Sequence, residues 1–170
     1  KLHARFVPYL FSNARRFAKD GYPWTMTPLP IAFPQDAKAY GHENATDRGY
    51  EWMIGDTMLV TPLYGDDYAT AETRDVYLPS GQWMDFDTGK IYAGGQTLKG
   101  FPLPVGKTPL FLGGSGVTLE DVSGVVHAVV YPVATQASAT LTLPESEQAL
   151  TVKIQGLPAG TKWRGIRVID

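Results

Sequence analysis

The 170-residue chain contains no cysteine, which excludes disulfides and thiolate metal sites. It has almost no net charge, −2, and so offers no electrostatic case for a nucleic-acid partner. No apolar run approaches the roughly 20 residues a membrane-spanning helix needs, so no membrane partner is expected. Histidine is scarce. His3, His42 and His127 show no metal-ligand spacing, and no Ser-His-Asp order can be built on them. Neither a cofactor nor a metal is expected. No initiator Met precedes "KLHARF" and no signal-peptide pattern opens the chain. It reads as a fragment or processed product, and its localisation is left open.

What is present points to a turn-dense β protein. The chain is 44% hydrophobic, enough for a substantial core, and carries 18 Gly and 13 Pro. The first 20 residues read as a helix. Leu2, Phe6, Leu10, Ala14 and Phe17 recur at spacings of three and four, striping one face. Arg15, Arg16 and Lys19 suit the negative end of the helix dipole. Gly21 is placed to cap the helix and Pro23 stops its continuation. Pro8 falls inside the stripe, where a lost hydrogen bond costs about 3 kcal/mol, so a kink or a later start is expected.

After Gly21 short β-rich runs alternate with Gly, Pro, Asp and Ser separators. The runs are 24–33, 58–64, 74–78, 83–86, 96–98, 109–112, 125–131, 139–143, 150–155 and 164–169. Pro28, Pro30 and Pro34 mark the first as an edge or interrupted strand. Residues 48–54 read as a short helical turn. With no βαβ alternation, the expected fold is mainly β: an antiparallel β-sandwich preceded by one N-terminal α-helix. The cluster "GGSGVTLEDVSG", 113–124, reads as a boundary.

Four constellations invite chemistry. In "RGYEWMIGDTMLVTPLYGDD", Asp56 precedes an apolar strand and Asp66 and Asp67 follow it. A glycosidase pair must sit within about 5–9.5 Å, whereas a seven-residue strand spans about 20 Å. Turn chemistry accounts for these acids better. In "WMDFDTGKIY", Asp85 and Asp87 fall on one face of a strand. Two carboxylates do not make a calcium site, and a hairpin with one wet face is expected. His127, in "VVHAVVY", reads as a packed or edge-strand residue. Trp24, Trp52, Trp83 and Trp163 could stack sugars, although buried aromatics more often build sandwich cores. On the residues alone, no catalytic, substrate-binding or metal-ligating side chain is assigned.

Six ordered strings carry a resemblance. Val7–Phe11, Gly21–Pro23, Ala32–Asp36, Trp52–Leu63, Leu78–Gly89 and Pro109–Leu112 are similar to the C-terminal part of glycoside hydrolase family 31, a family of α-glucosidases, α-xylosidases and related retaining enzymes. The resemblance covers about residues 1–116, and 117–170 match poorly. It implies that residues 1–20 are the closing helix of a (β/α)₈ barrel otherwise absent. Residues 21–118 would be the proximal sandwich and 119–170 a short distal β segment packed on it. It implies further that the catalytic carboxylates and the substrate-gripping residues lie on the barrel upstream of Lys1. The implied partners are that barrel and, through it, a carbohydrate substrate. Two positions depart from the family pattern: Thr27 and Gly113 stand where many members carry Arg. The alternative is a stand-alone carbohydrate-binding or structural β-sandwich.

Overall fold

The chain is described by a computed structural model at residues 2–40, 50–62, 70–104 and 107–156, with the backbone alone at 164–167. Helix α1 (Leu2–Asp20) continues through Pro8 as one helix. It ends where the Gly21 N–H donates to the Phe17 carbonyl at 2.8 Å, with Gly21 at φ +74°. That left-handed conformation is why glycine stands there.

The helix buries a different face from the one its stripe indicates. Phe6, Pro8, Tyr9, Ser12 and Asn13 point inward onto two strands described below. Of the expected stripe only Phe6 is buried. Leu2 and Phe17 stay exposed, as does Val7. The periodicity located an apolar face correctly, but α1 has two of them.

Thirteen strands follow among the described residues. They are β1 (Thr27–Pro28), β2 (Trp52–Ile54), β3 (Met58–Val60), β4 (Thr73–Leu78), β5 (Gln82–Asp85), β6 (Ile91–Ala93), β7 (Gln96–Pro102), β8 (Leu110–Leu112), β9 (Val117–Val122), β10 (Val125–Val130), β11 (Gln136–Thr142), β12 (Ala149–Gln155) and β13 (Arg164–Arg167). A six-stranded sheet has the order β1-β2-β3-β8-β5-β6. Three smaller sheets are β4-β7, β13-β10-β9 and β11-β12. Every described pairing is antiparallel. The molecule is thus mainly antiparallel β behind one long N-terminal helix, as composition and turn spacing indicate.

The six-stranded sheet is covered on both faces. Strand side chains alternate between faces, and here both sets are apolar. Met58, Met84, Leu110 and Leu112 enter one cluster with Phe6 and Tyr9 of α1 and with Val117, Leu119, Val129 and Leu141. Leu59, Trp83 and Phe111, their neighbours along the same strands, enter a second cluster with Leu29, Val76 and Leu78. β5 therefore has no wet face, unlike the hairpin its acidic residues indicate.

Three local expectations change. Residues 24–33 are not one strand: β1 is an edge strand, and Leu29–Ala32 form a helical turn α2 with Pro30 at its start, where its missing N–H costs nothing. Residues 52–54 are strand rather than helical turn, because β1 and β3 pair with both edges. Residues 117–122, inside the stretch read as turn-rich, form strand β9, whose first four residues are buried. Thr118 and Glu120 look loop-like, yet both are fully buried. Strands β6 and β9 were invisible to the pattern for this reason and because β6 is only three residues long.

Glu120 is held from three sides. Arg5 of α1 donates to it through Nε. Thr118 Oγ1 donates at 2.7 Å and Tyr131 OH at 2.5 Å. A buried carboxylate must be compensated in this way. Burial, and next the Glu120 charge, push the Tyr131 hydroxyl well above the usual tyrosine range. The Arg5–Glu120 pair bolts α1 to β9. Arg5→Ala is expected to cost about 2 kcal/mol, the scale of a hydrogen bond to a charged group, read as a lower midpoint in urea denaturation.

Candidate functional site

A cleft of about 680 Å³ lies between the segment after α1, the β2–β3 turn, the β4–β5 turn and the start of β11. One wall is aromatic. The Tyr22 and Trp24 rings lie 4.4 Å apart, centroid to centroid. The Arg16 guanidinium lies 3.4 Å over the Trp24 ring, and the indole N–H donates to Asp20 Oδ2 at 2.9 Å. Hydrogen bonds from the Trp24 indole, and next from the Tyr22 N–H, hold the Asp20 carboxyl below the usual carboxylate range. The indole is thus fixed from its edge by Asp20 and covered by Arg16, while the residue stays half-buried. Exposed Gln82, Thr135 and Gln136 stand among the other lining residues.

Asp56 also lines this cleft. It occupies the turn between β2 and β3, with its side chain 41% exposed and Arg16 Nη1 3.7 Å from its Oδ2. The turn reading of Asp56 is correct. Asp66 and Asp67 lie outside the described residues, as do His42 and Trp163.

Asp85 and Asp87 do not share a face. Strand β5 ends at Asp85 and residues 86–88 turn. Asp85 is buried and caps that turn, accepting from the Asp87 N–H at 3.0 Å and from Thr88 Oγ1 at 2.5 Å. Asp87 is exposed and pairs with Lys107 at 3.0 Å. An Asp that hydrogen-bonds the backbone two residues on makes an Asx turn, and this ended the alternation. Among the described residues no group of three or more His, Asp and Glu could hold a metal ion. His3 is exposed on α1, and His127 lies half-buried on β10 with Nδ1 3.0 Å from the Val125 carbonyl.

Of the tryptophans, Trp83 is fully buried and its indole donates to the Pro79 carbonyl at 2.7 Å. Trp52 is half-buried in β2.

The two departures from the family pattern have structural partners. Thr27 is buried, and its Oγ1 donates to the Pro23 carbonyl at 2.7 Å. At Gly113 a Cβ would stand 2.5 Å from Cε3 of Trp83, so the indole lies flat where a side chain would begin.

One polar cluster had no signal in the sequence. Glu51 Oε1 accepts from the Tyr77 N–H at 2.9 Å and from Arg74 Nη2 at 3.1 Å. Arg74 also donates to the Pro62 and Asp75 carbonyls, and both charged side chains are at most 2% exposed. Burial pushes the Glu51 carboxyl up to about 8, against the opposing pull of the Tyr77 N–H and Arg74. Only Glu51 next to a strand start, followed by an isolated Arg inside β4, could have hinted at it. Buried charge is rare enough that it is not read from sequence.

The described residues form a mainly antiparallel β domain behind one long helix. The chain belongs to glycoside hydrolase family 31: residues 21–117, more than half of it, match the model of the glycosyl hydrolase family 31 C-terminal domain. It is 32% identical over 157 residues to a 1,6-α-glucosyltransferase of Sporosarcina globispora, a match that covers 82% of this chain and 11% of that protein. The chain thus spans about a tenth of that relative's length. Among solved structures, a family 31 dextranase of Flavobacterium johnsoniae complexed with isomaltotriose is 25% identical, with a TM-score of 0.69 over 86% of this chain and 18% of its own. A family 31 α-xylosidase of Xanthomonas citri is 26% identical, with a TM-score of 0.66 over 82% of this chain and 15% of its own. The match to the glucosyltransferase covers more of the chain than the family model does, so similarity extends into residues 117–170, where the sequence strings were silent.

Proposed function

We propose that this chain is the non-catalytic C-terminal portion of a retaining α-glycosidase, and that it buttresses a catalytic barrel lying upstream. The observation that carries this reading is the second face of α1. Val7, Leu10, Ala14 and Phe17 follow one another at spacings of three and four, and Val7 and Phe17 are about half exposed. A helix that already buries Phe6 and Tyr9 on its own sandwich does not need this second stripe for that purpose. A barrel closing against it supplies the need.

In this reading residues 1–20 belong to both bodies, 21–118 form the proximal sandwich and 119–170 a distal segment. The three pack as one: Phe6, Met84 and Leu141 meet in a single apolar cluster. In this reading no carboxylate among the described residues is catalytic. Asp56 faces Arg16, Asp85 caps a turn, and Glu51 and Glu120 are spent in the core.

Val7→Asp and Phe17→Asp test the docking face. In the 170-residue chain each is expected to shift stability by no more than about 0.5 kcal/mol, the usual range for exposed sites. In the full-length enzyme each is expected to lower soluble yield and α-glucosidase activity together. Unchanged activity and yield in the full-length variants would overturn the proposal, as would hydrolysis of an aryl α-glucoside by the 170-residue chain alone.

A further inference from the structure

We propose that the cleft between Trp24 and Gln136 is a binding site for a neutral gluco-oligosaccharide. Its volume, about 680 Å³, falls in the range of roughly 300–1,000 Å³ typical of small-molecule sites. Charge decides the ligand class. The carboxylate of Asp56 faces Arg16, and that of Asp20 is occupied by the Trp24 indole and the Tyr22 N–H. Arg16 is in turn engaged by Asp56 and by the Trp24 ring. The formal charges at this wall are therefore compensated, and a charged ligand would find no free counter-ion there.

The rest of the lining is uncharged and can both donate and accept. The side-chain amides of Gln82 and Gln136 and the hydroxyl of Thr135 stand exposed. They face a ligand whose polar groups are also hydroxyls, each able to donate and accept. Trp24, Tyr22 and Phe33 add apolar surface, suited to the C–H face of a pyranose ring; an aromatic body with polar groups around it is the common make-up of a small-ligand site. The Trp24 indole is already held in place by Asp20 and Arg16, so its ordering costs little on binding. That the sugar is an α-linked glucan rests on the reading of the chain as part of an α-glycosidase. The pyranose chemistry of the cleft does not.

The experiment is a titration of the full 170-residue chain with isomaltotriose and maltotriose, followed by tryptophan fluorescence and by calorimetry. A saturable signal is expected, with millimolar or tighter affinity. Gln136→Ala, on the exposed start of β11, is expected to weaken binding several-fold without lowering the melting temperature. Trp24→Ala is expected to abolish the signal, and Gln82→Ala provides a second surface variant should Trp24→Ala fail to fold. No saturation at millimolar sugar overturns the proposal, and so does equal binding by Gln82→Ala and Gln136→Ala. Glycosidase activity of the full-length enzyme is scored separately. Its absence would remove the enzymatic reading while leaving the titration result standing.

Discussion

Arg74→Ala is expected to destabilise the protein by about 3–5 kcal/mol, since each buried acceptor left short of a donor costs about 1–3 kcal/mol. The reason is the number of groups stranded. The Pro62 and Asp75 carbonyls lose their Arg74 donors, and Glu51 Oε1 is left with the Tyr77 N–H alone, at a site where Arg74 is 5% exposed. Against a total stability of about 5–15 kcal/mol this is enough to leave much of the chain unfolded at 37 °C. Glu51→Gln should behave differently. With the carboxyl pushed up to about 8 by burial, the group carries its proton near neutrality, and an amide of the same shape replaces it with little loss.

The pH dependence has a definite sign. A carboxyl that titrates at about 4.3 in the unfolded chain and about 8 when folded makes the folded state bind the extra proton. Its contribution is complete below the unfolded value and is lost as pH rises towards about 8. The slope it adds is at most about 1.4 kcal/mol per pH unit. Urea denaturation of wild type and Glu51→Gln at several values between pH 5 and 9 isolates the effect. The variant should gain on wild type steadily with rising pH, and a constant difference across the range rules out the proposed titration. Burial, with Glu51 Oε2 left without a partner, raises the folded value, and the Tyr77 N–H and Arg74 pull the other way.

Trp83→Ala is expected to cost about 3–5 kcal/mol, as large-to-alanine changes in a packed core do. Trp83 is 2% exposed. Its edge meets Phe33 at 6.4 Å between ring centroids, and its N–H is satisfied by Pro79. The reciprocal test is Gly113. A Cβ there would press on Cε3, Cζ3 and Cδ2 of the indole, so Gly113→Ala should destabilise by about 1–3 kcal/mol through overpacking. In a Trp83→Leu background the same alanine should cost less, because the two changes share one space. Strict additivity in thermal or urea unfolding would show that Gly113 is glycine for some other reason.

These two sites also show how far the sequence could be read. The six ordered strings placed the family, and that placement rests on local spacing: Gly21 and Pro23 after a helix, turn residues between short strands, Asp56 after Gly55. Such features act within a few residues, so they are visible along the chain. The alternation of β5 and β8 was visible too, but not what covered each face. Met84 and Trp83 look alike as apolar neighbours, although they enter different clusters.

The composition and local pattern by themselves determined a mainly β chain behind one helix, without cysteine, and its membership of a glycosidase family. Only the tertiary structure decided which face of α1 turns inward and that residues 117–120 are buried. It alone brought Glu51 to Arg74 and Glu120 to Arg5, and assembled a cleft from Trp24, Gln82 and Gln136. The residues of each constellation lie 23 to 115 positions apart along the chain, or, for the cleft, on six separate segments. Long-range packing and the compensation of buried charge join such groups, and neither leaves a period in the sequence.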